Sequence, residues 1–103
     1  MVKIEITKQN TTYRKLTMQG HAGAGPNGSD LVCAALSGII SGALNAFHQK
    51  DANAFDFQVT SNQVVIVVIH PNAETNLLME MLAIQLITIA NEYPKNVKIK
   101  EVG

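Results

Sequence analysis

The chain has one cysteine, three prolines, no net charge and no long apolar run, and most of these shortages exclude a class of protein. A single cysteine cannot close an internal disulfide, so a reducing compartment, the cytoplasm, fits best. Eight basic residues balance eight acidic ones, which leaves no broad positive footprint for phosphate backbones or anionic lipid. No direct nucleic-acid partner and no membrane partner are therefore expected. No uninterrupted apolar run is longer than Val64 to Ile69, about a third of the roughly 20 residues that a membrane-spanning helix needs. The amino terminus alternates as a strand does, where a signal peptide would place a basic segment and then an apolar one. At 103 residues the chain reads as one domain, able to hide roughly 65% of the surface that its unfolded form exposes.

What is present is period. Val2, Ile4 and Ile6 alternate with Lys3, Glu5 and Thr7, predicting a strand with one buried face. Polar residues Lys8 to Thr12 form a turn, and Leu16 and Met18 continue a second strand, so the first unit is a hairpin. From Ser29 or Asp30, either of which can act as N-cap, the spacing changes. Val32, Leu36, Ile39, Ile40, Ala43 and Phe47 recur at helical steps. Gly38 and Gly42 flatten one side of that helix and permit another backbone to approach. Phe55, Phe57 and Val59 lead to a Ser61-Asn62 turn. The β-branched run from Gln63 to Ile69 then suggests a central strand buried on both faces. Pro71 and Asn72 open a second helix with Leu77, Leu78, Met81, Leu82, Ile84, Leu86 and Ile89 as its apolar side, Pro94 ends it, and Val97, Ile99 and Val102 form a last strand. The order ββαββαβ predicts an α+β fold: a mainly antiparallel sheet with two helices.

The chemistry concentrates in "GHAGAGPNGSDLVCAALSG", Gly20 to Gly38. Gly23 to Gly28 formally matches the glycine pattern of dinucleotide-binding loops. That pattern belongs to a βαβ unit, however, and here the helix is followed by a hairpin, while Pro26 removes a backbone donor. A phosphate-binding P-loop fails more simply, because Ser29 and Asp30 stand where lysine and a hydroxyl residue are required. No cofactor is expected.

A second reading is nucleophilic chemistry. With Ser29 or Asp30 as cap, Cys33 falls in the first helical turn, where unpaired N–H groups and the helix dipole favour a reactive thiolate and can hold an oxyanion. His21, at the end of the preceding strand, can be brought to it as a general base. Asp30, Cys33 and Ser37 share one side of the helix. The plainer reading remains beside it: a lone cysteine packs as a small hydrophobe, Asp30 is a cap, Ser37 a packing residue and the glycines turn chemistry. His48 and His70 read as half-exposed polar residues, and no histidine–cysteine spacing suits a metal.

Gly20-His21-Ala22, followed after a short loop by Gly28-x-Asp30-x-Val32-Cys33-Ala34-Ala35-x-Ser37, resembles the ribosomal-processing cysteine proteases, the Prp family. The resemblance implies a cytoplasmic cysteine endopeptidase that removes the N-terminal extension of large-subunit ribosomal protein twenty-seven, cutting after an aromatic residue in an apolar-rich segment, and working as a homodimer. It implies Cys33 as nucleophile and His21 as general base and later acid. Asp30 and Ser37 match further motif positions as possible supporting residues. Ala22, Gly23, Ala24, Gly25, Pro26, Asn27 and Gly28 would form a loop over the substrate. The alternative is a non-enzymatic ribosome-associated binding module with a structural cysteine. A different thiol enzyme, such as an acyltransferase, is a third possibility.

Overall fold

In a computed structural model, which describes residues 1–20 and 27–103, the amino-terminal alternation becomes strand β1 (Val2–Gln9). Its partner β2 (Thr12–Gln19) follows after a tighter turn than the polar run suggested. Only Asn10 and Thr11 lie between the strands, and Asn10 takes the left-handed conformation, φ 58°, that asparagine tolerates better than most residues. The β1–β2 register shifts after Thr7, which faces Lys15, whereas Lys8 faces Tyr13. The extra residue in β2 lets Tyr13 and Leu16, three positions apart, both enter the core. Asn76 holds this irregular stretch: its Oδ1 accepts the Tyr13 N–H at 2.7 Å and its Nδ2 donates to the Thr11 carbonyl at 3.2 Å.

Helix α1 (Asn27–Asp51) runs through a 3-10 turn, Ala52–Ala54, into β3 (Phe55–Val59). Strand β4 (Gln63–Val68), helix α2 (Ala73–Glu92) and β5 (Val97–Val102) complete the chain. The five strands form one sheet in the order β3-β4-β2-β1-β5. Three pairings are antiparallel, as expected, and the fourth, β1 with β5, is parallel. The sheet is therefore mixed, because α2 carries the chain back across it before β5 begins.

One face of the sheet carries Val2, Ile4, Ile6, Leu16, Ile66, Val68, Phe55 and Val97, all buried, beneath the two helices. The other face carries exposed Lys3, Glu5, Lys15, Lys98 and Lys100. From α1, Val32, Leu36, Ile40 and Phe47 reach the core, and the Phe47 ring stacks on Phe55 with centroids 4.8 Å apart. Asn72 caps α2 reciprocally with Thr75: the Thr75 N–H donates to Asn72 Oδ1 at 2.9 Å, and the Asn72 N–H donates to Thr75 Oγ1 at 2.9 Å.

Four expectations need correction. Strand β4 is second from the sheet edge, and only Ile66 and Val68 are buried in it, because helices cover one face alone. The buried side of α2 is Thr75, Met79, Leu82, Ala83 and Leu86. Leu77, Met81 and Ile84, read as core, are 67%, 59% and 58% exposed, since a helix rich in apolar residues all round turns only one stripe inward. Among the described residues no backbone meets Gly38 or Gly42: a Cβ built on either would find none of them within 4 Å. The absent side chains instead leave a cleft between α1 and α2, bordered by Ala46, Leu78 and Met81. By length and composition Leu31–Ala54 and Ala73–Glu92 could each cross a membrane, which the count of uninterrupted apolar residues missed; here the inward stripe of each packs as in a core helix.

Candidate active site

The candidate chemistry lies where α1 crosses the end of the sheet. Helix α1 begins at Asn27, two to three residues earlier than the apolar period indicated. The first turn, Asn27 to Asp30, has no apolar residue in its sequence and so no periodic signal, and reading from Val32 backward could not find it. Two expectations change. Asn27 and Gly28, placed in the covering loop, belong to the helix, and Ser29 and Asp30 lie inside it rather than at its cap. Cys33 is then the seventh helical residue, in the second turn, so its backbone N–H falls within the ladder of helical hydrogen bonds. The unpaired N–H groups that could hold an oxyanion lie about one turn earlier. His21 and Ala22 to Pro26 lie outside the described residues.

Cys33 is half-buried and packs on the edge of the core beside Val32 and Leu36. It also lines a cleft of about 270 Å3. The floor comes from one row of neighbouring strands: Val59 faces Val64 across β3 and β4, and Val64 faces Met18 across β4 and β2. Buried Val2, Leu36 and Ile40 close the bottom. One rim is Ser37 and Ser41 on α1, and the other is the β3–β4 turn, Thr60 to Gln63. Among the described residues that line the cleft, none is charged.

The turn is held by its own bonds. Thr60 Oγ1 accepts the Gln63 N–H at 3.1 Å, and the Thr60 N–H donates to the Gln63 carbonyl at 2.8 Å. Asn62 in turn accepts the Gly20 N–H at 3.1 Å. Gly20 is therefore fixed to the far rim, and it lines the same cleft as Cys33. Its φ of +88° lies in the region that favours glycine, and a Cβ there would sit 2.6 Å from the Met1 carbonyl oxygen. The sequence thus requires glycine immediately before His21 for a reason of backbone geometry.

Among the expected site residues, Cys33 and Ser37 come together on the cleft, one helical turn apart. Ser41 and Leu44, also on the cleft, escaped sequence reading. Extending the Cys33-to-Ser37 step by another four residues, and then by three, would have found them. His48 and His70 are exposed rather than half-exposed, and neither lines this cleft.

Comparison with known proteins gives the class. Residues 1–98 match the family described as Cysteine protease Prp. The ribosomal processing cysteine protease Prp of Mycoplasma genitalium is 35% identical over 96 residues, covering 93% of this chain and 96% of that protein. Crystal structures of the essential ribosomal processing protease Prp from Staphylococcus aureus superpose with TM-scores of 0.87 and 0.88 at 27% and 26% identity. Each covers 98% of this chain and 99% of its own; the first holds a covalently linked product peptide, the second a substrate peptide. The protein is a cysteine protease with an α+β fold. It belongs to the Prp family of ribosomal-processing cysteine proteases.

Proposed function

We propose that the chain is the cytoplasmic endopeptidase that removes the N-terminal extension of large-subunit ribosomal protein twenty-seven, acting as a homodimer and as one protease domain, with Cys33 as nucleophile and His21 as base. The observation that carries the reading is the cleft shared by Cys33 and Gly20, since His21 follows Gly20 directly in the chain. The uncharged, apolar floor of that cleft suits an apolar extension.

In this mechanism the Cys33 sulfur attacks the scissile carbonyl carbon while His21 takes the thiol proton. The tetrahedral intermediate collapses as His21 returns that proton to the leaving amine, and a thioester remains. Water, deprotonated by His21, attacks the thioester carbonyl, and the proton goes back to sulfur as the carboxylate product leaves. Ser37, exposed on the same cleft one turn beyond Cys33, would contact the bound peptide, and Asp30 is assigned a supporting role on the motif alone. The segment Ala22 to Pro26 would cover the bound peptide.

Incubating the protein with the extended ribosomal substrate and reading the product masses tests the assignment. A single cut that releases the extension, and its loss in both Cys33→Ala and His21→Ala, is the expected result. Cleavage that survives Cys33→Ala refutes it.

A further inference from the structure

The balanced total charge conceals a segregation between the two layers. Helices α1 and α2 together carry five carboxylates and one lysine, whereas the five strands carry five lysines, one arginine and three carboxylates. Four of the strand lysines, Lys3, Lys15, Lys98 and Lys100, are exposed on the sheet face turned away from the helices, because they alternate with Ile4, Leu16, Val97 and Ile99, which pack toward the core. Lys98 lies beside Lys3 across the β1–β5 pairing and Lys100 beside Glu5, while Lys15 lies beside Thr7 across the β1–β2 pairing. At about 4.8 Å between strands and about 3.3 Å per residue, Lys98 and Lys15 mark opposite corners of an area about 16 Å across. Toward the Lys98 corner lies a basin of about 300 Å3, bordered by Lys3, Glu5, Thr17, Gln19, Lys98 and Lys100. Glu5 is the one carboxylate among the described residues that line it, and Asp56 stands on β3, at the opposite edge of the sheet.

We propose that this open face of the sheet binds the phosphate backbone of double-stranded RNA, without regard to base sequence. Lysine ammonium groups suit phosphate oxygens, and the Thr17 hydroxyl and Gln19 amide supply the neutral hydrogen bonds that position a backbone. The four lysines come from three strands and spread over an area, which matches the two phosphate rows of a duplex; an extended acidic peptide would follow a single line. No aromatic side chain stands among the described residues of the basin, so the face has nothing to stack on an unpaired base or to insert among acyl chains. A duplex is thereby favoured over single-stranded RNA and over a lipid surface. Membership of a family of ribosomal-processing proteases makes RNA the polyanion at hand. The acidic helical layer is repelled by the same phosphates, which turns the sheet toward them. The Cys33 cleft has Val59, Val64 and Met18, on the helix side of the sheet, as its floor, so the opposite face can hold RNA while a peptide occupies the cleft.

The test is fluorescence anisotropy of a labelled RNA duplex of roughly 20 base pairs, titrated with the whole protein over a range of salt concentrations. With four lysines each neutralising about one phosphate, log K should fall with log salt at a slope of about −3 to −4, a loss of about a hundredfold between about 50 and 200 mM salt. A duplex of unrelated sequence should bind within about twofold, because phosphate contacts carry no sequence information. Combining Lys3→Gln, Lys98→Gln and Lys100→Gln should weaken binding by about tenfold or more at the lower salt and reduce the slope to about −1. Lys50→Gln, on the helical layer, should leave both unchanged. No anisotropy change at about 50 mM salt with protein at about 100 μM, or a slope shallower than about −1 in the unaltered protein, overturns the proposal. So does an equal loss in Lys50→Gln, or tighter binding to anionic phospholipid vesicles or to polyglutamate than to the duplex at the same salt. Should the combined variant fail to fold, each single glutamine variant should still reduce the slope by about one, and three single variants that leave it unchanged refute the proposal equally. Cys33→Ala should bind the duplex as the unaltered protein does, so failure of the nucleophile assignment is seen separately.

Discussion

Gly20 and Gly38 should respond to the same substitution with opposite signs. At Gly20 the backbone has φ +88°, and an added Cβ would meet the Met1 carbonyl oxygen at 2.6 Å. Forcing an L-residue into left-handed backbone costs about 1–2 kcal/mol, and relieving a contact this short, against backbone that cannot rotate away, costs about 1–3 kcal/mol more. Gly20→Ala should therefore lose about 3 kcal/mol, which for a domain of this size lowers Tm by about 12–24 °C. At Gly38 the added methyl meets nothing within 4 Å, so only helix propensity and unfolded-state entropy act. Gly38→Ala should gain about 0.5–1 kcal/mol and raise Tm by a few degrees. Thermal unfolding followed by circular dichroism reads both. The peptide-cleavage assay adds a second observable, because Gly20 also lines the Cys33 cleft and is bonded to Asn62 on its rim: at temperatures where Gly20→Ala is still folded, its kcat/KM should be reduced at least tenfold. A Gly20→Ala protein that melts within about 4 °C of the parent would refute the geometric argument, as would destabilisation by Gly38→Ala.

Asn76→Ala removes both the acceptor for the Tyr13 N–H and the donor to the Thr11 carbonyl, and should cost about 1–3 kcal/mol by urea titration, since a part-buried amide loses its partner. Thr75→Ala deletes half of the reciprocal cap of α2 at a residue that is only 1% exposed, with an expected loss of about 1–2 kcal/mol in the same assay. Leu86→Ala and Ile84→Gln compare the two sides of α2. Leu86 is fully buried and should cost about 2–5 kcal/mol, whereas Ile84 is 58% exposed and should change monomer stability by no more than about 0.5 kcal/mol.

Strand periods were legible because each strand has one solvent face, so alternation survives in Val2, Ile4 and Ile6 and in Phe55, Phe57 and Val59. The same rule misled in two places. The run from Val64 to Val68 looks doubly buried, yet Val65 and Val67 point to the sheet face opposite Ile66 and Val68 and are only half-buried. In α2 apolar residues occupy positions all round the helix, and no pattern within the helix distinguishes Leu86 from Ile84. That choice is made by the sheet. The parallel β1–β5 pairing was equally hidden, because hairpin logic applies to neighbours in sequence and β5 pairs with a strand at the other end of the chain.

At the candidate site, sequence found the thiol and its neighbour one turn away but misjudged where the helix begins, and the difference alters the chemistry. A cysteine in the first turn could have drawn on unpaired backbone N–H groups and the full helix dipole, both of which fade within that turn. A cysteine at the seventh helical position gives up part of that assistance and gains rigidity. Val32 and Leu36, one position before Cys33 and three after it, are each 1% exposed and anchored in the core. One residue along a helix rotates the side chain by about a quarter turn, so the same stretch of α1 holds the core with Val32, Leu36, Ile40 and Phe47 while presenting Cys33, Ser37, Ser41 and Leu44 to the cleft. Ile40 contributes to both. A site built on such an element holds its spacing to the precision of the helix itself.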